Sequence, residues 1–326
     1  MAIGLKNTVR FYIRRWGRKY LPENVISALR FPLKYVRSKK REVVRRERPP
    51  LSIEGLRANL RDAGICAGDI VMVHSSLSRI GNVEGGPAIV VQSIIDVITP
   101  DGTVIMPCYN SAEALLKEYR FGRQADLRVM PSAVGKITDT FRIWPGVLRS
   151  SHPFSSACAW GKQANYIVSG HAEKPGVCHE ESPVGRLVRL KGKAIGIGIP
   201  ISQGLGVAHH LEDTWDGFPF EVHAPEFTIA YIDSDGQKVE RKIWRFDPFV
   251  ARTRIDQPEG AWICEKLTDH LLRHGLLKRF RYGDADSWIM EAEPLFQELK
   301  RLAGKGVTMY LTESRLTDQN RDIENW

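Results

Sequence analysis

From Leu51 to Leu311, short apolar runs rich in β-branched residues alternate with longer amphipathic stretches, and this alternation restricts the chain to an α/β architecture. A helix is expected from Ser52 to Ala63, ending at Gly64, and a buried strand over Asp69–His74. An apolar helix follows over Gly86–Ile98, after a Gly-Gly turn, and a strand over Thr103–Pro107, after the turn Pro100-Asp-Gly102. Val134–Trp144 reads as helix and Lys193–Ile199 as strand. Glu226–Tyr231 and Gln237–Trp244 flank the hairpin signal Asp233-Ser-Asp-Gly236. Helices are expected over Cys264–Leu277 and Asp286–Leu302, then a strand over Val307–Leu311. The expected fold is a layered α/β sandwich around a largely parallel or mixed central sheet.

Charge divides the chain at Pro49-Pro50, a pair that donates no backbone hydrogen bond and favours extended chain. Residues 1–50 hold 15 basic and three acidic residues, whereas the other 276 carry 32 basic and 35 acidic ones, so a net of +12 sits on the leader and −3 on the body. Two regions are therefore expected: a basic helical extension, 1–50, and a catalytic-sized domain, 51–326. In the leader, Leu5, Val9, Tyr12, Trp16 and Tyr20 recur at helical spacing among lysines and arginines, which suits peripheral contact with an anionic membrane surface better than a nucleic-acid arm. A solvated or packed arm is the bland alternative. No apolar run approaches the roughly 20 residues of a membrane span. Five widely spaced cysteines without a C-x-x-C pair argue against a disulfide framework and a zinc site and fit a reducing cytoplasm, at most at the inner face of a membrane.

Three constellations could carry chemistry. Val73-His74-Ser75-Ser76-Leu77-Ser78 ends a strand in small hydroxyl residues ahead of Gly85-Gly86 and a helix, a setting for a phosphate- or pantetheine-bearing ligand. Turn and capping roles for the serines are the plain alternative. Arg149-Ser150-Ser-His152-Pro-Phe-Ser155 forms a candidate anion corner, although a lone histidine before proline is more often a turn residue. Gly196-Ile-Gly198 leads through a glycine loop to His209-His210-Leu-Glu212-Asp213, placing imidazole and carboxylate at the carboxyl end of a strand. A dinucleotide fingerprint fails there because Pro200 stands where the third glycine's turn should form. A metal site fails because adjacent helical residues point about 100° apart.

Taken together, in order and spacing, several stretches resemble the aminoglycoside 3-N-acetyltransferase family: Val73-His-Ser-Ser-Leu-Ser78, Gly85-Gly86-Pro87, Thr99-Pro-Asp-Gly-Thr103, Pro145-Gly146-Val147, Arg149-Ser-x-His152-Pro, Ser182-Pro-Val-Gly-Arg-Leu187 and His209-x-x-Glu212. The match is closest from about residue 53 to 215 and looser to about 313. The resemblance implies direct acetyl transfer from acetyl-CoA to a small-molecule amine, without a metal or a nucleic-acid partner. His209 is the implied base, with His210 as fallback. It places the coenzyme near His74, Ser75, Ser76, Leu77, Gly85, Gly86, Arg149, Ser150, His152 and Ser155. Where the family carries a glutamate after the hairpin to orient its histidine, this chain has Arg245, which leaves Asp247 or Glu212 for the task. Arg245 and the leader favour an amino sugar as acceptor, nucleotide-linked and part of polysaccharide synthesis. An aminoglycoside antibiotic is the alternative, and a non-catalytic docking relative the rival. Oligomeric state is not legible.

Overall fold

The computed structural model describes residues 47–257 and 260–311, so the helix expected in the leader lies outside the described residues. Among the described residues, ten strands form two sheets. They are β1 Ile70–Ser75, β2 Thr103–Pro107, β3 Ala125–Asp126, β4 Leu148–Arg149, β5 Ala157–Gly161, β6 Lys193–Ile197, β7 Phe227–Ile232, β8 Lys238–Ile243, β9 Lys278–Tyr282 and β10 Ala285–Glu291. The large sheet runs β4-β5-β2-β1-β6-β10-β9 and the small one β3-β7-β8. Only the centre, β2-β1-β6, is parallel; β5 and β4 on one side and β10 and β9 on the other join antiparallel, so the sheet is mixed.

Side-chain alternation along β1 sorts the core into two layers. Val71 and Val73 face the helices Ile53–Asp62, Pro87–Ile98 and Lys136–Phe141, with Val104, Ile195 and Ile197 beside them. Met72 faces the opposite layer, where Ala194, Trp288 and Met290 meet the helices Pro183–Arg189, Gly206–Thr214, Ala261–Arg273 and Ala292–Gly304. Val71, Val104, Ile105 and Ile195 are each 0% exposed, and each such burial contributes about 1.5–3 kcal/mol. Helix starts follow their sequence signals: Ser52 Oγ accepts from the Gly55 amide at 3.1 Å, and Ser182 Oγ accepts from the Gly185 amide at 3.1 Å ahead of Pro183.

Two expectations are corrected. Residues 285–291 form β10 before the helix Ala292–Gly304 begins, where the sequence reads as one helix from Asp286. The two-residue turn Gly283-Asp284, with Gly283 at φ 57°, folds β10 back on β9, and a hairpin turn so placed overrides the helical spacing. Residues 307–311 form no strand; this buried turn segment is tied to the loop ahead of the helix Ala261–Arg273 by the Ile255 amide donating to the Met309 carbonyl at 2.7 Å. The Asp233 hairpin forms as expected, with Asp233 Oδ1 accepting from the amides of Asp235 and Gln237. No helix among the described residues is long and apolar enough to cross a membrane.

Candidate active site

The three parallel strands all point their carboxyl ends at one cleft of about 350 Å³, the position at which open α/β sheets usually bind ligands. His74 and Ser75 come from the end of β1, Pro107 and Tyr109 from the end of β2, and Ile199 to Gly206 from the segment after β6. His209, Arg254, Asp256 and Met309 complete the wall.

His209 and Glu212 lie one turn apart on the helix Gly206–Thr214, so their side chains share a face. His209 Nδ1 lies 2.7 Å from Glu212 Oε2, with the imidazole 20% and the carboxylate 1% exposed. A carboxylate only accepts, so the Nδ1 proton is donated to it, and Nε2 keeps its lone pair. Phe246 packs against the imidazole, ring centroids 4.5 Å apart, and is backed by His223 at 5.4 Å. His223 Nε2 in turn lies 2.8 Å from the buried carboxylate of Asp213. Burial pulls the His223 pKa down, but Asp213 and Glu221 outweigh it and hold it above the ordinary value. The second wall is a two-pronged ion pair, Arg254 Nε and Nη2 donating to Asp256 at 2.6 and 2.9 Å. Burial opposes the Asp256 charge, yet this guanidinium holds its carboxyl below the usual carboxylate range.

The glycine loop serves packing. Gly196 lies between His74 of β1 and Trp288 of β10 in register, and a Cβ there would meet the indole at 2.0 Å; one on Gly204 would meet it at 2.5 Å. Trp288 Nε1 donates to the Ile199 carbonyl at 2.9 Å, which pins the loop over the cleft floor. Burial takes the His74 pKa down to about 4, so this ring is neutral at physiological pH.

Of the two candidate bases, only His209 reaches the cleft. His210, one position on, turns away: Nδ1 donates to the Cys178 carbonyl at 2.6 Å and the ring packs on Phe296. Asp247 is committed elsewhere, its Oδ1 accepting from the amides of Phe249 and Val250 at a helix start, which leaves Glu212 as the carboxylate at the histidine. Arg245 lies over the Phe154 ring.

Of the residues expected around the coenzyme, His74 and Ser75 line the cleft. Ser76 gives its amide to the Ile197 carbonyl, and Leu77 packs on the core. Gly85 and Gly86, at φ 78° and 63°, turn the chain into the next helix. The anion corner is built inward instead. Arg149 gives its donors to the carbonyls of Leu127, Met130 and Cys108 and to Asn110 Oδ1 and Ser156 Oγ, so it braces loops and has no donor left for a phosphate. Ser150 Oγ bonds His171 Nδ1 at 2.8 Å, while the fully buried His152 accepts from the amides of Phe154 and Ser155. Sequence reading missed Tyr109, Phe246, Arg254, Asp256 and Tyr310. Arg254-x-Asp256 spacing was the one usable signal among them.

A family model described as aminoglycoside 3-N-acetyltransferase matches residues 72–303. Aminoglycoside N(3)-acetyltransferase IX of Micromonospora chalcea is 28% identical over 276 residues, spanning 76% of this chain and 91% of the relative. The crystal structure of aminoglycoside acetyltransferase AAC(3)-Xa superposes with a TM-score of 0.70 at 25% identity, over 83% of this chain and 99% of that one. AAC-IIIb in binary complex with CoASH does so with a TM-score of 0.66 at 24% identity, over 78% and 97%.

Proposed function

The chain belongs to the aminoglycoside 3-N-acetyltransferase family and is an N-acetyltransferase; from that premise we propose that it acetylates an amine of an aminoglycoside, using acetyl-CoA, with His209 as general base. The observation that carries the mechanism is the His209–Glu212 pair opening on the cleft at the strand ends. The relatives' names support the aminoglycoside ahead of the nucleotide-linked sugar favoured by the leader and Arg245. The polar lining fits a pantetheine arm: Ser75, Ser202, Tyr109 and Gln203 offer hydroxyls and an amide beside the uncharged His74 ring. The thioester supplies the activated acetyl group. A sugar ammonium must lose a proton before its nitrogen can attack, and His209 Nε2 takes that proton while Glu212 supports the resulting imidazolium. The C–N bond forms, the C–S bond breaks, and the proton held on His209 is available to the departing thiolate.

One observation favours a second reading, an amino sugar with a single ammonium. Among the described cleft-lining residues Asp256 is the one carboxylate, and Arg254 already pairs with it. A polycation gains most from several uncompensated acids. A thiol-release assay with acetyl-CoA, kanamycin-type aminoglycosides and monoamino sugars separates the two. The first reading predicts turnover of the aminoglycosides with kcat/KM at least about tenfold above that of any monoamino sugar, in the range of ordinary enzymes. The reverse order would establish the second, and no thiol release with any amine would reject both.

A further inference from the structure

Glu212 receives its donors on one oxygen. His209 Nδ1 lies 2.7 Å from Oε2, and the Tyr310 hydroxyl donates to the same oxygen at 3.1 Å. No donor among the described residues reaches Oε1, and the carboxylate is 1% exposed, so the phenol is the one donor this buried charge has besides the His209 imidazole. Tyr310 is itself fully buried, with its ring edge against Phe220 at 5.8 Å and 80°. It comes from the turn after the helix Ala292–Gly304, nearly a hundred residues from the dyad, and residues 307–311 close over the layer that holds the helix Gly206–Thr214.

We propose that Tyr310 is a positioning residue for acetyl transfer: its hydroxyl fixes the Glu212 carboxylate on His209 Nδ1, orients the imidazole with Nε2 in the cleft, and sets the basicity of that nitrogen. The inference rests on His209 being the base. A hydrogen bond into Oε2 draws off part of the charge that would otherwise stabilise the imidazolium, so it tempers the pull of Glu212 on the proton that Nε2 takes up. A carboxylate bonded only to the imidazole would hold the proton more tightly and could also swing about its own χ angles. The other groups that bear on this pair remain in place when the hydroxyl is removed. Arg254 acts on Glu212 and Asp256 on His209, while Asp213 acts on Tyr310 and Cys178 on Glu212.

Tyr310→Phe keeps the ring and its packing and deletes the hydrogen bond. Steady-state kinetics across pH 5.5–9 are expected to show kcat reduced about three- to tenfold at pH 7 with the KM for acetyl-CoA within about twofold, and the acidic limb of kcat/KM moved up by about half a pH unit or more. A 2,3-difluorotyrosine at position 310, a stronger donor, is expected to move that limb down. An unmoved limb in both variants, with or without a loss of kcat, would reduce Tyr310 to a packing residue and overturn the proposal. His209→Ala run alongside keeps the two ideas separate. If that variant retains full activity, the proposed base is wrong; if it is inactive while both Tyr310 variants match the parent profile, only the role of Tyr310 falls.

Discussion

Three histidines, of which the sequence singled out only His152, as part of a candidate anion corner, pack ring against ring inside the protein: His152 and His171 with centroids 4.9 Å apart, His171 and His179 at 5.9 Å. Each is held as a neutral tautomer by its partners. His171 Nε2 donates to the Val177 carbonyl, so its Nδ1 accepts from Ser150; His179 Nε2 donates to the His171 carbonyl, so its Nδ1 accepts from the Glu181 amide. A second proton on His152 or His179 would set Nδ1–H against a backbone amide N–H, donor against donor. Burial accordingly pushes His171 down to about 3 and His74 to about 4, and His152 well below its ordinary value. Folded pKa values below the unfolded 6.5 mean that the unfolded chain binds more protons in this window. Stability is then complete above about pH 6.5 and declines as pH falls, by up to about 2 kcal/mol per such histidine at pH 5. His223, whose pKa is raised, offsets part of this. Urea unfolding is expected to show a clearly lower midpoint at pH 5.0 than at pH 7.5, above the range where ordinary carboxylates titrate; equal midpoints would mean the rings are not held neutral. None of this was visible in the residues around His152, where a histidine before proline reads more often as a turn residue than as a functional one.

At the scale of the element, Gly196 and Trp288 show why part of the site was legible and part was not. The strand 193–197 and the glycine loop stand out by composition, but the reason for the glycines lies 92 residues away on β10, a strand hidden inside a helical pattern. Local spacing carries no information about which strand will lie alongside another. Gly196→Ala is expected to lower unfolding free energy by about 1–3 kcal/mol, since the methyl group must displace a buried indole, and to depress turnover by shifting the loop from Ile199. A variant with unchanged urea midpoint and activity would show that Trp288 can move aside at no cost. Tyr310 escaped for a related reason: residues 307–311 read as a strand because they are apolar, whereas their burial comes from the Ile255–Met309 hydrogen bond and from packing against the helical layer.

Over the whole molecule, the alternating pattern and the ordered motifs from residue 53 to 215 were enough for the α/β sandwich and the family, because parallel strands, their glycine turns and their capped helices each leave local signals. The antiparallel strands β4, β5, β9 and β10 that widen the sheet leave weaker ones, being short or masked by helical spacing. His209 and Glu212 were legible as a pair because one helical turn separates them; the groups that surround them come from residues 246, 254, 256 and 310, which only the fold assembles. The central claim is that this pair performs the proton transfer in acetylation. It is tested most directly by kcat/KM of His209→Ala against the parent enzyme, with the best amine from the thiol-release screen and with coenzyme A binding measured on the same preparations. A loss of about a hundred- to ten-thousandfold in kcat/KM with coenzyme A affinity retained is the predicted result. Acetyl transfer undiminished in His209→Ala would contradict it.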